Sequence, residues 1–238
     1  SVMLDLLAYN TYYQAFYNNM TANELFLDSA AKRASVVSHA KNLGYTPNSK
    51  TASTAIVDVT YPGTPSNVTL LPGEQFVTSI NGKSYTFVNV DTASIGTSGG
   101  VGYISDLTIK EGSLENTTYI VPDYTNNIRY ELKDSNIDIS TIKVKVQASQ
   151  TDTTGINDIW SRAGDLTEIT SATKAFWIQE NTKGNYEILF GDNVLGYKPE
   201  AGNVISISYL ITNGSEGNGA GNGETDSTNR AFTYNNAA

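Results

Sequence analysis

Gly96-Thr97-Ser98-Gly99-Gly100 has the G-x-S-x-G form of a nucleophile elbow. There, a strained strand-to-helix turn presents a serine hydroxyl to a histidine base. The surrounding sequence does not fit. Residues 103–110 read as strand rather than helix, and the single histidine, His39, precedes the serine and falls in a helical stretch. A glycine loop is the expectation. His39 sits one turn before a helix end, where the macrodipole favours an imidazolium, so it reads as a surface or interface residue. Glu180, Glu187 and Asp192 could supply the paired carboxylates of glycoside hydrolysis, but nothing in the spacing fixes their separation. Asp134-Ser135-Asn136-Ile137-Asp138 has the composition of a calcium loop without its glycine or terminal glutamate, and reads as a polar turn. Gly191 and Gly196 bracket a tight connection in which Asp192 can accept backbone amides, a structural turn.

Composition narrows the chemistry further. The chain has no cysteine, which excludes disulfides, thiolate metal sites and a thiol nucleophile. One histidine excludes a multi-histidine metal centre. No catalytic residue, metal or cofactor is expected, and no small-molecule substrate. A net charge of -9 lacks the basic footprint of a nucleic-acid binder. No apolar run approaches the roughly 18 residues of a membrane span. With 39% hydrophobic and 16% charged residues the chain is too apolar for a disordered one. Its 24 Asn, 28 Thr and 15 Tyr favour strands and turns.

The elements follow from periodicity. Residues 3–43 read as helix, with Leu4, Leu7, Ala8, Tyr12, Ala15, Phe16 and Met20 recurring at steps of three and four. Thr21-Ala22-Asn23-Glu24 has capping-box form, so either a second helix begins at Thr21 or one long helix runs through. Phe26, Ala30, Ala34, Val37 and Ala40 continue the pattern. Gly44 fits a left-handed cap, and Pro47 follows. Tyr9, Tyr12, Tyr13, Phe16 and Tyr17 nearly encircle the first stretch, more apolar surface than one partner face can bury. Two places could take it: the rest of this chain, or a neighbouring subunit.

From Thr54 the period becomes two. Candidate strands are 54–61, 68–71, 76–80, 84–90, 103–110, 117–121, 128–132, 142–148, 175–180, 185–190 and 204–211, with a hairpin at Asn81-Gly82. Residues 149–170 read as turns. Five glycines among residues 213–224 read as a linker, leaving a tail that orders only against something else. The fold class is therefore α+β, mainly β: an N-terminal helical segment followed by antiparallel β-sandwich-like domains. The divisions are 1–47 helical, 48–150 an antiparallel β domain, 151–212 a second β domain or its continuation, and 213–238 linker and tail. The chain opens at Ser1 with Val2-Met3-Leu4 already in an apolar pattern and no signal-peptide features, so it reads as a stretch of a longer polypeptide.

Two segments resemble a known family. Leu6 to Pro47 is similar to the wedge proteins of contractile-phage baseplates, in the broad baseplate J family. Trp177-Ile178-Gln179-Glu180, Gly184-Asn185-Tyr186-Glu187-Ile188, Phe190-Gly191-Asp192 with Gly196, and Gly202-Asn203-Val204-Ile205 follow in the family's order. So does Ile137-Asp138-x-Ser140-Thr141 leading into Val144-Lys145-Val146. The resemblance implies a virion structural protein without enzyme activity. It implies a dimer within a ring around the tail tube, joined to other wedge proteins and rearranging as the sheath contracts. It also implies that helices from two copies bundle with a helix of a companion wedge protein. Leu4, Leu7, Tyr12, Phe16, Met20, Phe26 and Val37 are the candidate interface residues, and the Gly-rich tail is expected to share the contact. The alternative is a carbohydrate-binding β module of a phage or cell-surface adhesin, gripping sugar through exposed Tyr and Trp.

Overall fold

The computed structural model describes residues 2–61, 69–80, 82–98, 100–123, 128–152, 158–164, 168–181, 183–219 and 232–235. Two helices, α1 (Val2–Glu24) and α2 (Arg33–Asn42), precede mostly antiparallel strands, the α+β, mainly β class the sequence predicts. The strands are β1 (Thr54–Tyr61), β2 (Thr69–Leu70), β3 (Gln75–Ile80), β4 (Lys83–Asn89), β5 (Ala93–Ser94), β6 (Gly96–Ser98), β7 (Val101–Glu111) and β8 (Ser113–Ile120). They continue with β9 (Tyr130–Leu132), β10 (Ile137–Gln147), β11 (Ile159–Arg162), β12 (Ala175–Glu180), β13 (Tyr186–Phe190), β14 (Val204–Ile211) and β15 (Thr233–Asn235).

The chain forms two compact units. The smaller comprises residues 1–47, 129–135 and 177–189, and the larger comprises 48–128, 136–176 and 190–238. In the larger unit one sheet has the order β1-β7-β4-β3-β15, with β6 also on β7. A second sheet runs β8-β14-β10-β11 and on to the start of β12. Phe76, Phe87, Ile104, Leu107 and Ile109 fill the core of the first sheet. The two sheets meet at Ala52, Val88 and Leu210, with Leu114 beside them.

The chain crosses between these sheets through one residue. Gly112 separates β7 from β8, has φ +132°, and lies so close to β14 that a Cβ would sit 2.1 Å from the Ile211 carbonyl oxygen. No other residue fits that conformation and approach. The neighbouring Glu111 is 2% exposed, and both of its carboxyl oxygens are occupied. One accepts from Thr212 Oγ1 at 2.7 Å and the Asn213 amide at 3.0 Å. The other accepts from Asn213 Nδ2 at 2.7 Å. The Glu111 amide donates to the Ser53 carbonyl at 2.8 Å. Ser53 Oγ in turn donates to the Gly214 carbonyl. Gly217 packs so tightly here that a Cβ would lie 2.8 Å from Glu111 Cγ.

A wide bulge shapes β10. Asp138 opposes Leu210 but Lys143 opposes Ser208, so the residues between them leave the regular ladder. Thr141 Oγ1 donates to the Asp138 carbonyl and accepts the Leu210 amide, replacing the lost ladder bonds. The Asp138 carboxylate accepts from the Ser140 amide and hydroxyl and from the Ala52 amide. Burial alone pushes this carboxyl up. The Ser140 hydroxyl, the two amides and the Lys110 ammonium outweigh it and hold it below the usual range.

Several expectations need correction. Of the two readings left open at Thr21, a second helix starting there or one unbroken helix, neither holds. Thr21 lies inside α1, and the break comes at residues 25–32, where Ser29 Oγ donates to the Asn23 carbonyl. Gly96–Ser98 is a strand rather than part of a loop, with Gly96 opposite Tyr103 and Thr97 opposite Gly102, and Gly99 lies outside the described residues. Residues 149–170 contain β11, whose Trp160 is buried against Phe190 and Tyr197. The β11–β12 pair is parallel, so the sheets are not wholly antiparallel. Within the expected linker, residues 214–217 instead form a 3-10 turn with Gly214 and Gly217 buried, while residues 220–231 lie outside the described residues. Asn81 lies outside the described residues, but Ile80 opposes Lys83, as the hairpin predicts.

Two stability outcomes follow. Glu111→Gln turns one acceptor oxygen into a donor facing donors, and should lower unfolding free energy by about 2 kcal/mol or more, read from denaturant midpoints. The folded-state pKa of Asp138 lies below its unfolded value, so its contribution is complete above the unfolded pKa of about 3.9. That contribution is lost as pH falls through the folded pKa. Asp138→Asn should therefore be less stable at neutral pH and should lose less on acidification below about pH 4, as thermal melts across pH would record.

Candidate interaction surface

The smaller unit is organised around α2. Its end is a Schellman cap: the Gly44 amide donates to the Lys41 carbonyl and the Tyr45 amide to the Ala40 carbonyl. Glu24, the last residue of α1, accepts the Ala31 and Lys32 amides just ahead of α2. The Ser35 hydroxyl, then these amides, hold its carboxyl below the usual range. His39 Nε2 lies 3.0 Å from the Glu24 carbonyl, so the histidine ties the two helices together. Arg33 clamps the buried Glu180 carboxylate with bonds of 2.9 and 2.7 Å. Thr46 Oγ1 donates to the Ile178 carbonyl. Val37 and Ala40 on α2, Leu132 on β9, Ile178 on β12 and Ile188 on β13 are buried.

Helix α1 is different: none of its residues is buried. Leu4 is 70% exposed, Tyr12 68% and Phe16 54%, and Leu7 and Met20 are also exposed. Tyr9 and Tyr13, one turn apart, bring their ring centroids to 4.5 Å, and Tyr17 continues the row at 6.2 Å from Tyr13. This stacking covers a little ring surface and leaves the aliphatic residues in water. Phe26 lies in the turn between the helices and is 67% exposed. Val37, at 3%, stands apart from the other six candidates: it serves the core of its own unit. Among the described residues nothing buries α1, and a lone 23-residue helix gains little stability in water without packing.

The residues weighed for catalysis are all committed elsewhere. Glu180 is held by Arg33, and Glu187 pairs with Arg129 at 3.2 Å. Asp192 accepts the Val194 and Leu195 amides at 2.9 and 2.8 Å. The Leu195 amide first, then that of Val194, hold its carboxyl below the usual range. Thr97 and its neighbours pair with β7, so no strand-to-helix elbow exists. Among the described residues no group of three His, Asp or Glu side chains could hold a metal ion. Among the described residues no helix is long and apolar enough to cross a membrane. Of the two tryptophans, Trp160 is buried and Trp177 half-buried.

The Gly191–Gly196 turn is closed from within. A Cβ on Gly191 would lie 2.2 Å from the Gly196 carbonyl oxygen. Asn193 adopts φ +70° and donates its amide to the same carbonyl. Gly191→Ala should therefore destabilise by about 2–4 kcal/mol through clash and strain. Asp192→Ala, which only frees two exposed amides, should cost about 1 kcal/mol. Chemical denaturation of both variants checks the order.

Sequence reasoning missed the Glu111 cluster and Trp160. Glu111 is one acid in a polar stretch, and only its partners from residues 53 and 212–214 reveal it. Trp160 alone carried a signal, a large aromatic in a segment otherwise read as turn.

Comparison with known proteins accounts for the helices. Residues 1–45 match the helical domain of gp6-like baseplate wedge proteins. Over 242 aligned positions the chain is 29% identical to the baseplate wedge protein gp6 of Enterobacteria phage T4, a match covering 92% of this chain. The chain spans about a third of that relative, 35% of its length. The chain is thus similar over most of its length to a bacteriophage baseplate wedge protein, and its helices to the helical domain of such proteins.

Proposed function

We propose that this chain is a structural part of a contractile phage tail baseplate in the virion, and that it acts by protein–protein contact rather than catalysis. The carrying observation is α1, a 23-residue apolar and aromatic helix with no buried residue. The similarity to a baseplate wedge protein over 92% of the chain supports the setting. In this reading α1 packs against its counterpart in a second copy and against a helix of a companion wedge protein. Pairs of chains then join into a ring around the tail tube and rearrange as the sheath contracts.

Burying each large α1 side chain contributes about 1.5–3 kcal/mol, part of which offsets the cost of association. Leu4, Leu7, Tyr12, Phe16 and Met20 are exposed in the single chain, so replacing them costs its fold little. Phe26 extends the same surface into the turn. Leu7→Glu with Phe16→Glu should leave the denaturation midpoint within about 0.5 kcal/mol of the parent. Self-association, read by light scattering, should fall at least tenfold. Equal scattering from parent and variant would remove α1 as the interface.

A further inference from the structure

The break between α1 and α2 falls in a sequence that contains nothing to break a helix. Residues 2–43 hold neither glycine nor proline. From Val2 to Val37, positions at alternating steps of four and three are apolar or aromatic, with Asn23 the one exception. This is the heptad period of a continuous helix with one apolar seam, and it passes through residues 25–32 without a change of phase. Lys32, the N-cap of α2, makes no side-chain cap bond, so α2 has no start signal of its own.

Part of the turn is already helical. The Ala30 amide donates to the Phe26 carbonyl at 2.9 Å, the bond of an α-helix. Three side chains take the groups that the missing helical bonds would use. The Glu24 carboxylate accepts the Ala31 and Lys32 amides, whose partners in a helix would be the Leu27 and Asp28 carbonyls. His39 Nε2 lies 3.0 Å from the Glu24 carbonyl, and Ser29 Oγ donates to the Asn23 carbonyl at 2.6 Å. In a helix those carbonyls would accept the Asp28 and Leu27 amides. The bend buries little in return: Leu25, Phe26 and Leu27 are 65%, 67% and 45% exposed.

We propose that residues 25–32 are a conformational switch. Released from Glu24, Ser29 and His39, they complete the helical ladder and join α1 and α2 into one helix over residues 2–42, about 60 Å long. The exchange replaces side-chain bonds with backbone bonds nearly one for one, which keeps the two arrangements close in free energy. Val37 and Ala40 stay in the core of the smaller unit, while α1 turns and its apolar seam gains Leu27. This concerns the chain's own helices and does not depend on the baseplate setting or on what covers α1.

The chain has no cysteine, so Ala22→Cys with Asn42→Cys, both at exposed positions, carries two spin labels cleanly. The contact between His39 and Glu24 holds these two Cα atoms within about 20 Å in the bent form. A continuous helix puts them about 30 Å apart. Pulsed electron resonance of the labelled parent should show the short distance, with the long one below about a tenth of the population. Glu24→Ala with Ser29→Ala and His39→Ala should raise the long fraction several-fold and make it the main one. Glu24→Ala alone should show both distances, and it decides the matter if the triple variant fails to fold. A short distance in every variant overturns the switch, because other contacts then set the bend. A broad distribution without a maximum near 30 Å overturns it too, because the released turn then unfolds instead of joining the helices.

Discussion

The buried Glu111 carboxyl group is the contact on which the larger unit turns. It lies where β7 ends and the chain must leave one sheet for the other, one residue before the Gly112 crossing. A buried carboxyl group is tolerated only when its oxygens find donors. Here Thr212 and Asn213, from just past the end of β14, supply them. The same contact fixes the start of β1 through Ser53 and the 3-10 turn at Gly214–Gly217. The corner gives the sheets a common edge, and Val88 and Leu210 fill the space beside it.

The smaller unit answers a different constraint. Its β strands and α2 bury an ordinary small core and close it with Arg33 and Glu180. The bidentate clamp satisfies a carboxylate that is otherwise sealed from water, which an unpaired burial could not do. Nothing comparable happens along α1. Its rings stack on one another and its aliphatic side chains stay in solvent. An apolar patch of this extent is rare on a protein that works alone, and the proposed interface rests on it. The proposed setting of that surface rests on the chain's similarity to a baseplate wedge protein.

Much of the fold was legible in the sequence, because most strands here have one buried and one exposed face. The alternation of Ile142, Val144 and Val146 with lysines marked β10, and the Gly44 cap marked the end of α2. The readings that failed did so where a distant partner outweighed local composition. The Gly-rich run at 213–217 looked like a linker because glycine lowers local order. Glu111 and Ser53, more than a hundred residues away, order it. Gly96–Ser98 looked like a loop for the same reason, and β7 pairs it into a strand. The capping box at Thr21 lost to the continuing helix, and Glu24 spent its carboxylate on the amides ahead of α2 instead.

The sequence by itself determined the class of the protein: a helical segment and then antiparallel strands, no thiol or multi-histidine chemistry, and a tyrosine-rich stretch of helix with more apolar surface than one face can bury. These are consequences of residue type and spacing, which act over a few neighbouring residues. Only the tertiary structure decided that α1 is left uncovered, that Val37 belongs to the core, and that the suspected catalytic carboxylates are capped or paired. It also decided which strands are neighbours and that the chain's far end closes the β3 edge. Burial and pairing depend on what the fold brings together from distant positions, and no local pattern carries that information.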